Sequence, residues 1–243
     1  MTPARRIGLL GGTFDPIHVG HLAAAVAACA ALELDEVLLL ASHVPPHRPQ
    51  PLASVHHRFA MVALAAQEHE ALRASDLELL APGPSYTSAT LRRLHACGYA
   101  RTQLFFITGA DAFAEIATWR DYPSFLHDAH FVVVNRAGRE AASVRGAVPA
   151  LAARMRDAEA PPPPAWDGSG ESVIFLVNRV TPDVSSTTIR TRCARGEPIA
   201  GMVPPAVERH ILRHALYRPA EGRARPAAGL PPAASLLHEQ EHH

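Results

Sequence analysis

The chain has 243 residues, of which 48% are hydrophobic, so it is long enough to bury a sizeable core as one domain or a compact pair. Its 23 basic residues balance 23 acidic ones, so no net field draws it to nucleic acid or to a membrane surface, and any anion binding must be local. Every basic residue is an arginine, and the absence of lysine excludes a Walker-type phosphate loop and a Schiff-base lysine.

The cysteines and the apolar runs indicate in which cellular compartment the chain works. Cys29, Cys97 and Cys193 are scattered and odd in number, which predicts neither a disulfide framework nor a zinc knuckle. No apolar run approaches the ~18 residues of a membrane span, and no export signal is recognisable. We therefore expect a reducing, cytoplasmic setting.

Short apolar runs alternate with segments of helical period along the chain. The runs that predict strands are RIGLLGG, EVLLLAS, QLFFITG, HFVVVNR and SVIFLVN, and those that predict helices include HLAAAVAACAAL, RFAMVALAAQ and TSATLRRLHACG. This alternation predicts an α/β parallel sheet with helices on both faces. Ligands of such sheets bind at the carboxyl ends of the strands. The important loops should be those after Leu10, Leu40, Ile107, Val134 and Val177.

Two segments stand apart from this alternation. Residues 137–171 include PPPPAWDGSG and are interpreted as a surface excursion. Residues 219–243 have the composition of a tail that cannot order itself, so we expect the domain to span 1–218. The histidines at its end are interpreted as part of that tail rather than as a metal site.

The stretch IGLLGGTFDPIHVGH ends a strand in two glycines and then presents two histidines. Gly11 and Gly12 leave the backbone bare, so a ligand can approach the amides closely. The next helix is predicted to begin near Val19, with its positive end facing the same space. His18 and His21 lie three residues apart across that start, so both imidazoles can offer N–H donors to one polyphosphate.

Two other interpretations of the histidines are open at this point. In the first, one histidine caps a helix and the other is a buried neighbour bonded to the backbone. In the second, His43 and His47 of HVPPH join His18 and His21 in a four-histidine zinc site, although that loop is stiffened by proline and lacks the usual cysteine or carboxylate companions.

The whole string GGTFDPIHVGH is far more specific than its parts, and it resembles the nucleotidylyltransferases with an H-x-G-H motif. Further stretches match in order and spacing: VPPHRP (44–49), PSYTSATLRRL (84–94), FFITGADAFAEIATWRDY (105–122) and VSSTTIRTRCARGEPIAGMVPPAVERHI (184–211). Over about residues 5–217 the chain is similar to the bacterial nicotinate-nucleotide adenylyltransferases. This resemblance implies a Rossmann-like, doubly wound parallel sheet with a small C-terminal helical part.

The resemblance also implies a reaction. Family members transfer the AMP part of ATP to nicotinate mononucleotide, releasing pyrophosphate and giving the dinucleotide precursor of NAD. Mg²⁺ assists, and we expect it to be carried by the ATP phosphates rather than by a protein metal site. The expected partners are ATP and nicotinate mononucleotide, without nucleic acid or membrane, and a homo-oligomer is left open. The positions carried over by resemblance are Thr13, Phe14, His18, His21, Thr87, Asp111, Trp119 and Arg190.

The residues themselves suit this chemistry. The acceptor's 5′-phosphate, with a second pKa near ~6, is already mostly dianionic at neutral pH, so the nucleophile needs no base. The protein must instead align and neutralise two polyanions, and His18, His21 and Arg190 are the expected catalytic donors. In VSSTTIR, the predicted helix start adds hydroxyls and amides for triphosphate oxygens from Ser185, Ser186 and Thr187. The remaining expected ATP-binding residues are Gly11, Gly12, Thr13, Phe14, Gly109 and Asp111.

Other residues suit the nicotinate mononucleotide. A helix is predicted to start around Thr87 and Ser88, just after Tyr86, and its amides and dipole favour a carboxylate. Trp119 offers a flat face for a pyridine ring. Arg48 stands where the family often has lysine after PPH, and a forked guanidinium does not replace a point charge.

Two alternatives to this function are kept. One retains the chemistry but uses nicotinamide mononucleotide or phosphopantetheine as the acceptor. The other is a non-catalytic regulator that binds nucleotide without turnover.

Overall fold

The computed structural model describes residues 5–44, 50–81, 83–135, 140–158 and 172–219. The strands in these residues are β1 (Ile7–Gly12), β2 (Glu36–Ala41), β3 (Leu72–Ser75), β4 (Leu104–Gly109), β5 (His130–Val134), β6 (Met155–Asp157) and β7 (Ile174–Val177). The α-helices are α1 (Val19–Leu32), α2 (Val55–Ala66), α3 (Thr87–Ala96), α4 (Ala110–Phe113), α5 (Val144–Ala147), α6 (Ser186–Ala194) and α7 (Pro205–Arg213). Short 3-10 helices lie at Arg101–Gln103, Ile116–Thr118, Ser124–His127, Ala141–Ser143 and Pro149–Arg154.

The seven described strands form one parallel sheet in the order β3-β2-β1-β4-β5-β7-β6. From β1 the chain adds β2 and β3 on one side, and β4 then begins the other side. The strand order therefore reverses between β1 and β4. Strand β5, HFVVV, is buried at every position, as expected for a strand covered on both faces. The predicted doubly wound parallel sheet is confirmed.

Helices cover both faces of the sheet and divide the core in two. On one face α1, α2, α6 and α7 bury Leu22, Met61, Ile189 and Val207. On the other face α3, α4 and α5 bury Leu91, Phe113 and Val144. The small C-terminal helical part is confirmed as α6 and α7, which pack on the same face as α1 and α2.

The interpretation of residues 137–171 as a surface excursion was wrong for residues 140–158. This segment folds into α5, two 3-10 helices and the edge strand β6, which pairs in parallel with β7. Val144, Leu151 and Met155 are buried against the second core. Each element is only three to six residues long, too short for a clear periodic signal. Residues 136–139 and 159–171, with the proline run, lie outside the described residues.

The remaining predictions concern the cysteines, membrane spans and the C-terminal tail. Cys29, Cys97 and Cys193 are free thiols, as predicted. Of the described helices, none combines the length and apolar content that crossing a membrane requires. Residues 220–243 lie outside the described part of the chain, so the unordered tail stays a prediction, as does the cytoplasmic setting.

Candidate active site

The carboxyl ends of β1 and β4 meet where the strand order reverses, which is where open α/β sheets bind ligands. Ile7 pairs with Leu104 and the register runs on to Leu10 and Ile107, so both strands end at the same edge. Gly109 closes β4 and is the N-cap of α4. Asp111 follows in the first turn of α4 and is half-buried.

Packing in the turn after β1 accounts for a glycine at position 12. A Cβ on Gly12 would lie 2.8 Å from Cε1 of Phe14. Phe14 is 2% exposed and its φ of 49° is in the left-handed region, so its ring is held tightly over the turn that also contains Thr13. Gly11 is different, because a Cβ there would make only an ordinary contact, 3.8 Å from Cζ of Phe106.

The two histidines lie together, as the spacing predicted. His18 is the N-cap of α1, and its backbone N–H donates to Nδ1 of His21 at 3.3 Å. The two rings stack with centroids 3.7 Å apart, and Phe14 meets His21 edge-on at 5.1 Å. Because Nδ1 of His21 accepts, the neutral ring carries its proton on Nε2. The rings of His18 and Phe14 thus hold the His21 ring on two sides, and Nε2 is the N–H donor of the neutral ring.

The glycine between the histidines also lies in a tightly packed place. A Cβ on Gly20 would lie 3.1 Å from the His18 ring and 3.2 Å from the carbonyl oxygen of Pro182. The predicted start of α1 near Val19 is confirmed, and its first amide is used within the protein. The Val19 N–H donates to the Met202 carbonyl at 3.1 Å.

Helix α6 begins where VSSTTIR predicted, and it is docked on the turn after β1. Ser185 is its N-cap, with Oγ accepting from the Thr188 amide at 3.1 Å. The Ser186 hydroxyl donates to the Pro16 carbonyl at 2.8 Å, across 170 residues of sequence. Both serine hydroxyls thus bind the protein itself.

Arg190 completes this docking. Its Nη1 donates to the Asp15 carbonyl at 2.8 Å and its Nη2 to the Thr187 hydroxyl at 3.1 Å. These bonds bring the first and last motifs of the sequence into one place, next to the start of α1. Arginine and imidazole donors thus border the same edge of the sheet.

A buried arginine beneath these loops was not predicted. Arg58 of α2 is 1% exposed and donates to the carbonyls of Thr13 (2.7 Å), Ser42 (2.8 Å) and His43 (3.2 Å). Burial lowers the pKa of Arg58, and the nearby Asp15 carboxylate opposes this shift.

Asp15 is the second unpredicted part of this network. Its carboxylate accepts from the amides of Leu52 (2.8 Å) and Ala53 (3.1 Å) and from the Tyr217 hydroxyl (2.8 Å). Burial, followed by the Asp15 charge, raises the pKa of Tyr217 well above its usual range, so Tyr217 stays a donor.

A second group of side chains surrounds the start of α3, which begins at the predicted position. Ser88 is 1% exposed, and its hydroxyl donates to Oδ2 of Asp121 at 2.7 Å. Arg92 reaches the same oxygen at 3.1 Å. The Ser88 hydrogen bond and the Arg92 charge lower the pKa of Asp121. The Arg120 guanidinium lies 4.7 Å over the ring of Tyr86.

Trp119 packs against the core through two phenylalanine rings. It is half-buried, stacked on Phe125 with centroids 6.1 Å apart and edge-on to Phe106 at 6.0 Å. Phe106 is the same side chain that faces Gly11. One ring face of Trp119 is therefore used by the core.

The chain is similar to known proteins over most of its length. A family model described as Cytidylyltransferase-like matches residues 9–192. The chain is 40% identical over 218 residues to a probable nicotinate-nucleotide adenylyltransferase of Pseudomonas syringae pv. tomato, covering 89% of this chain and 96% of that one. A protein of the same name from Roseiflexus sp. is 40% identical over 215 residues, covering 87% and 98%.

The chain belongs to the nicotinate-nucleotide adenylyltransferase family. Its fold is that of a solved Plasmodium falciparum nicotinic acid mononucleotide adenylyltransferase complexed with NaAD, with a TM-score of 0.67 and 16% identity over 88% of this chain and 97% of that one. A putative nicotinate-nucleotide adenylyltransferase from Vibrio parahaemolyticus aligns with a TM-score of 0.54 and 19% identity, over 88% of this chain and 96% of that one.

Two expectations about this adenylyltransferase involve residues 45–49, outside the described part of the chain. Arg48 cannot be placed, and the zinc interpretation depended on His47. Among the residues that are described, no group of three or more His, Cys, Asp or Glu side chains is placed to hold a metal ion.

Proposed function

We propose that this chain transfers the AMP part of ATP to nicotinate mononucleotide, releasing pyrophosphate. Its family membership supports the reaction, and one observation carries the proposal. The stacked pair His18 and His21 lies beside the start of α6, because Arg190 and Ser186 bind the backbone of the turn that separates the histidines from β1. Donors from both ends of the chain thus border one edge of the sheet.

In the proposed reaction an oxygen of the acceptor's 5′-phosphate attacks the α-phosphorus of ATP. A new phosphorus–oxygen bond forms, the bond from the α-phosphorus to the bridging oxygen breaks, and pyrophosphate leaves with that electron pair. The attacking phosphate is mostly dianionic at neutral pH, so no proton has to be removed. The protein's task is to hold two polyanions in line and to offset the charge that builds during transfer.

His21 is proposed to donate from Nε2 to the α-phosphate or to the leaving pyrophosphate in the transition state. His18 is proposed to hold a ground-state phosphate in line, and Arg190 to bind the triphosphate. Gly11, Gly12, Thr13 and Phe14 would form the floor of the nucleotide site, with Gly109 and the Asp111 carboxylate beside the ribose. The amides at the start of α6, from Ser185 to Thr187, would add donors for phosphate oxygens.

The residues at this site fit a metal–nucleotide complex better than a bare metal ion. They are chiefly imidazole and guanidinium N–H groups, hydroxyls and amides, which bind anions. We propose that Mg²⁺ is held by the phosphate oxygens of ATP. When bound there it would neutralise charge on the reacting phosphates.

The acceptor's pyridine ring is proposed to lie on the open face of Trp119, with its carboxylate at the start of α3. The Ser88 hydroxyl is already bonded to Asp121, so the backbone amides of Thr87 and Ser88 are the proposed carboxylate donors. Tyr86, under the Arg120 guanidinium, would flank the ring. Amides donate and do not accept, so they favour a carboxylate over a carboxamide.

The test is pyrophosphate release with ATP and, separately, nicotinate mononucleotide, nicotinamide mononucleotide or phosphopantetheine. We expect dinucleotide formation with the nicotinate acceptor. His21→Ala should lower kcat at least ~100-fold, the loss expected for a donor to developing charge. His18→Ala should also lower it and should raise KM more than His21→Ala does. Turnover with another acceptor only, or with none, would refute the assignment.

The control is another histidine. His56 is exposed on α2 and lies outside the site, so His56→Ala should keep wild-type kinetics. A folded His21→Ala that behaved like His56→Ala would contradict the proposed role of His21.

A further inference from the structure

Arg58 is the largest of the fully buried side chains in the described residues, and it carries a charge. A buried charge is unfavourable unless it is paired or hydrogen-bonded. Arg58 meets this requirement mainly with backbone carbonyls, through Nη1 to Thr13 and Ser42 and through Nη2 to His43. An aliphatic residue would fill the same space without burying a charge, but it would leave these three carbonyls without their donor.

The carbonyls bound by Arg58 belong to two different loops. Thr13 follows β1, and Ser42 and His43 follow β2. The Ser42 amide also donates to the Gly12 carbonyl at 2.9 Å. The planar guanidinium thus fixes the two loops relative to each other at the carboxyl edge of the sheet.

Hydrogen bonds connect the loop after β2 to the start of α3. The His43 amide donates to the Ser85 hydroxyl at 2.9 Å, and the Ser85 amide donates to the Val44 carbonyl at 2.9 Å. Ser85 directly precedes Tyr86, the N-cap of α3. A continuous chain of hydrogen bonds therefore runs from the glycine turn through Arg58 to the proposed acceptor site.

The contact between α2 and the turn is reciprocal. While Arg58 of α2 holds the turn after β1, the Asp15 carboxylate of that turn holds the amides of Leu52 and Ala53, just before α2. The Tyr217 hydroxyl adds a third bond to Asp15. The turn and the helix that supports it are thereby locked in one arrangement.

We propose that Arg58 is a positioning residue for adenylyl transfer: it sets the distance and orientation between the nucleotide site at the β1 turn and the acceptor site at the start of α3. Arg58 is 1% exposed, so it acts through the carbonyls of Thr13, Ser42 and His43 rather than by touching substrate. The inference rests on the proposed function, because it needs two substrates bound on the two loops.

The test compares Arg58→Met with Met61→Ala. Met61 is fully buried on the same face of α2, so its truncation destabilises that helix without removing a hydrogen-bond donor to either loop. Both variants should lower Tm. At a temperature well below both Tm values, Arg58→Met should lower kcat by ~30-fold or more and raise KM for both substrates, since misplacement by about 1 Å is costly. Met61→Ala should keep kcat and both KM values within about 2-fold of wild type.

Two further variants keep the inference testable if Arg58→Met does not fold. Arg58→Lys keeps the charge but places its donors on one nitrogen, so it should recover little of the lost kcat. Ser85→Ala breaks the link to α3 and should raise KM for nicotinate mononucleotide while leaving KM for ATP unchanged.

The outcomes separate the two proposals. Equal kinetics for folded Arg58→Met and Met61→Ala, full activity of Arg58→Lys, or an unchanged acceptor KM in Ser85→Ala would each overturn the positioning role. A wild-type chain that forms no dinucleotide with ATP and nicotinate mononucleotide would refute the proposed function, and this inference with it.

Discussion

Replacing Gly12 with alanine should reduce turnover through Phe14 and His21 rather than through contact with substrate. The new Cβ would lie 2.8 Å from Cε1, 3.0 Å from Cζ and 3.1 Å from Cδ1 of Phe14. Ordinary contact begins at 3.4 Å, so the ring must move by about 0.6 Å, taken as the difference of those distances. Phe14 is almost fully buried and meets His21 edge-on, so the movement is passed to His21.

The loss of stability and the loss of turnover each have an expected size. Overpacking a buried site costs about 1–3 kcal/mol, which for a chain of this length corresponds to a Tm lower by roughly 2–12 °C. A donor moved by a large fraction of 1 Å should lower kcat at least ~10-fold, or about 1.4 kcal/mol of transition-state stabilisation. Thermal unfolding and pyrophosphate release measure the two quantities separately.

Two glycines of the same strand provide controls. A Cβ on Gly8 would lie 2.9 Å from side-chain atoms of Leu34 and Val37, at the opposite end of β1. Gly8→Ala should therefore lower Tm by a similar amount and leave kcat unchanged. Gly11→Ala meets only an ordinary contact and should keep the wild-type Tm. A Gly12→Ala variant with lowered Tm but wild-type kcat would refute the coupling from Phe14 to His21.

Three more predictions follow from the remaining parts of the molecule. Nicotinate mononucleotide should be preferred over the amide by ~100-fold or more in kcat/KM, the size of a mismatched polar contact, and Trp119→Ala should weaken both acceptors equally, as steady-state kinetics will show. Burial, followed by two nearby arginines, lowers the pKa of His130 from 6.5 to about 4. Its stabilising contribution is therefore complete above pH 6.5 and is lost as the pH falls towards 4, by about 3 kcal/mol; urea unfolding across this range should show the loss, and His130→Gln should reduce it. Deleting residues 219–243 should change neither Tm nor activity, whereas a chain that also lacks Tyr217 loses a bond to the buried Asp15 carboxylate and should melt earlier.

The sequence was most informative where local patterns are sufficient. A strand that ends in glycine and is followed by a helix places His18 and His21 at the carboxyl edge of a parallel sheet, and the structure agrees. The start of α6 at VSSTTIR was equally readable, because its N-cap and amide bonds are local. The docking of α6 on the β1 turn was not predicted, because the bonds of Ser186 and Arg190 to that turn join residues about 170 positions apart.

The sequence patterns could not predict packing between residues that are far apart in the chain. Gly12 and Gly20 were interpreted through ligand approach or not at all, yet at both positions a Cβ would crowd neighbouring rings, and at Gly20 also a carbonyl. Ser88 was assigned to the acceptor site through its backbone amide, and nothing local indicated that its hydroxyl would bond Asp121, 33 residues away. Arg58 did carry a signal: it precedes Met61, Val62 and Ala65 at helical spacing, on the buried face of α2.

The proposed chemistry explains why so much of this site is devoted to holding donors still. No base is needed for a dianionic nucleophile, so rate depends on donors that are in place before charge develops. Three supports meet at one short turn: Arg190 on the Asp15 carbonyl, Ser186 on the Pro16 carbonyl, and Arg58 on the Thr13 carbonyl. The turn between β1 and α1 is therefore the common reference for both ends of the chain. A change that shifts its backbone should reduce catalysis more than the loss of any one of these supports.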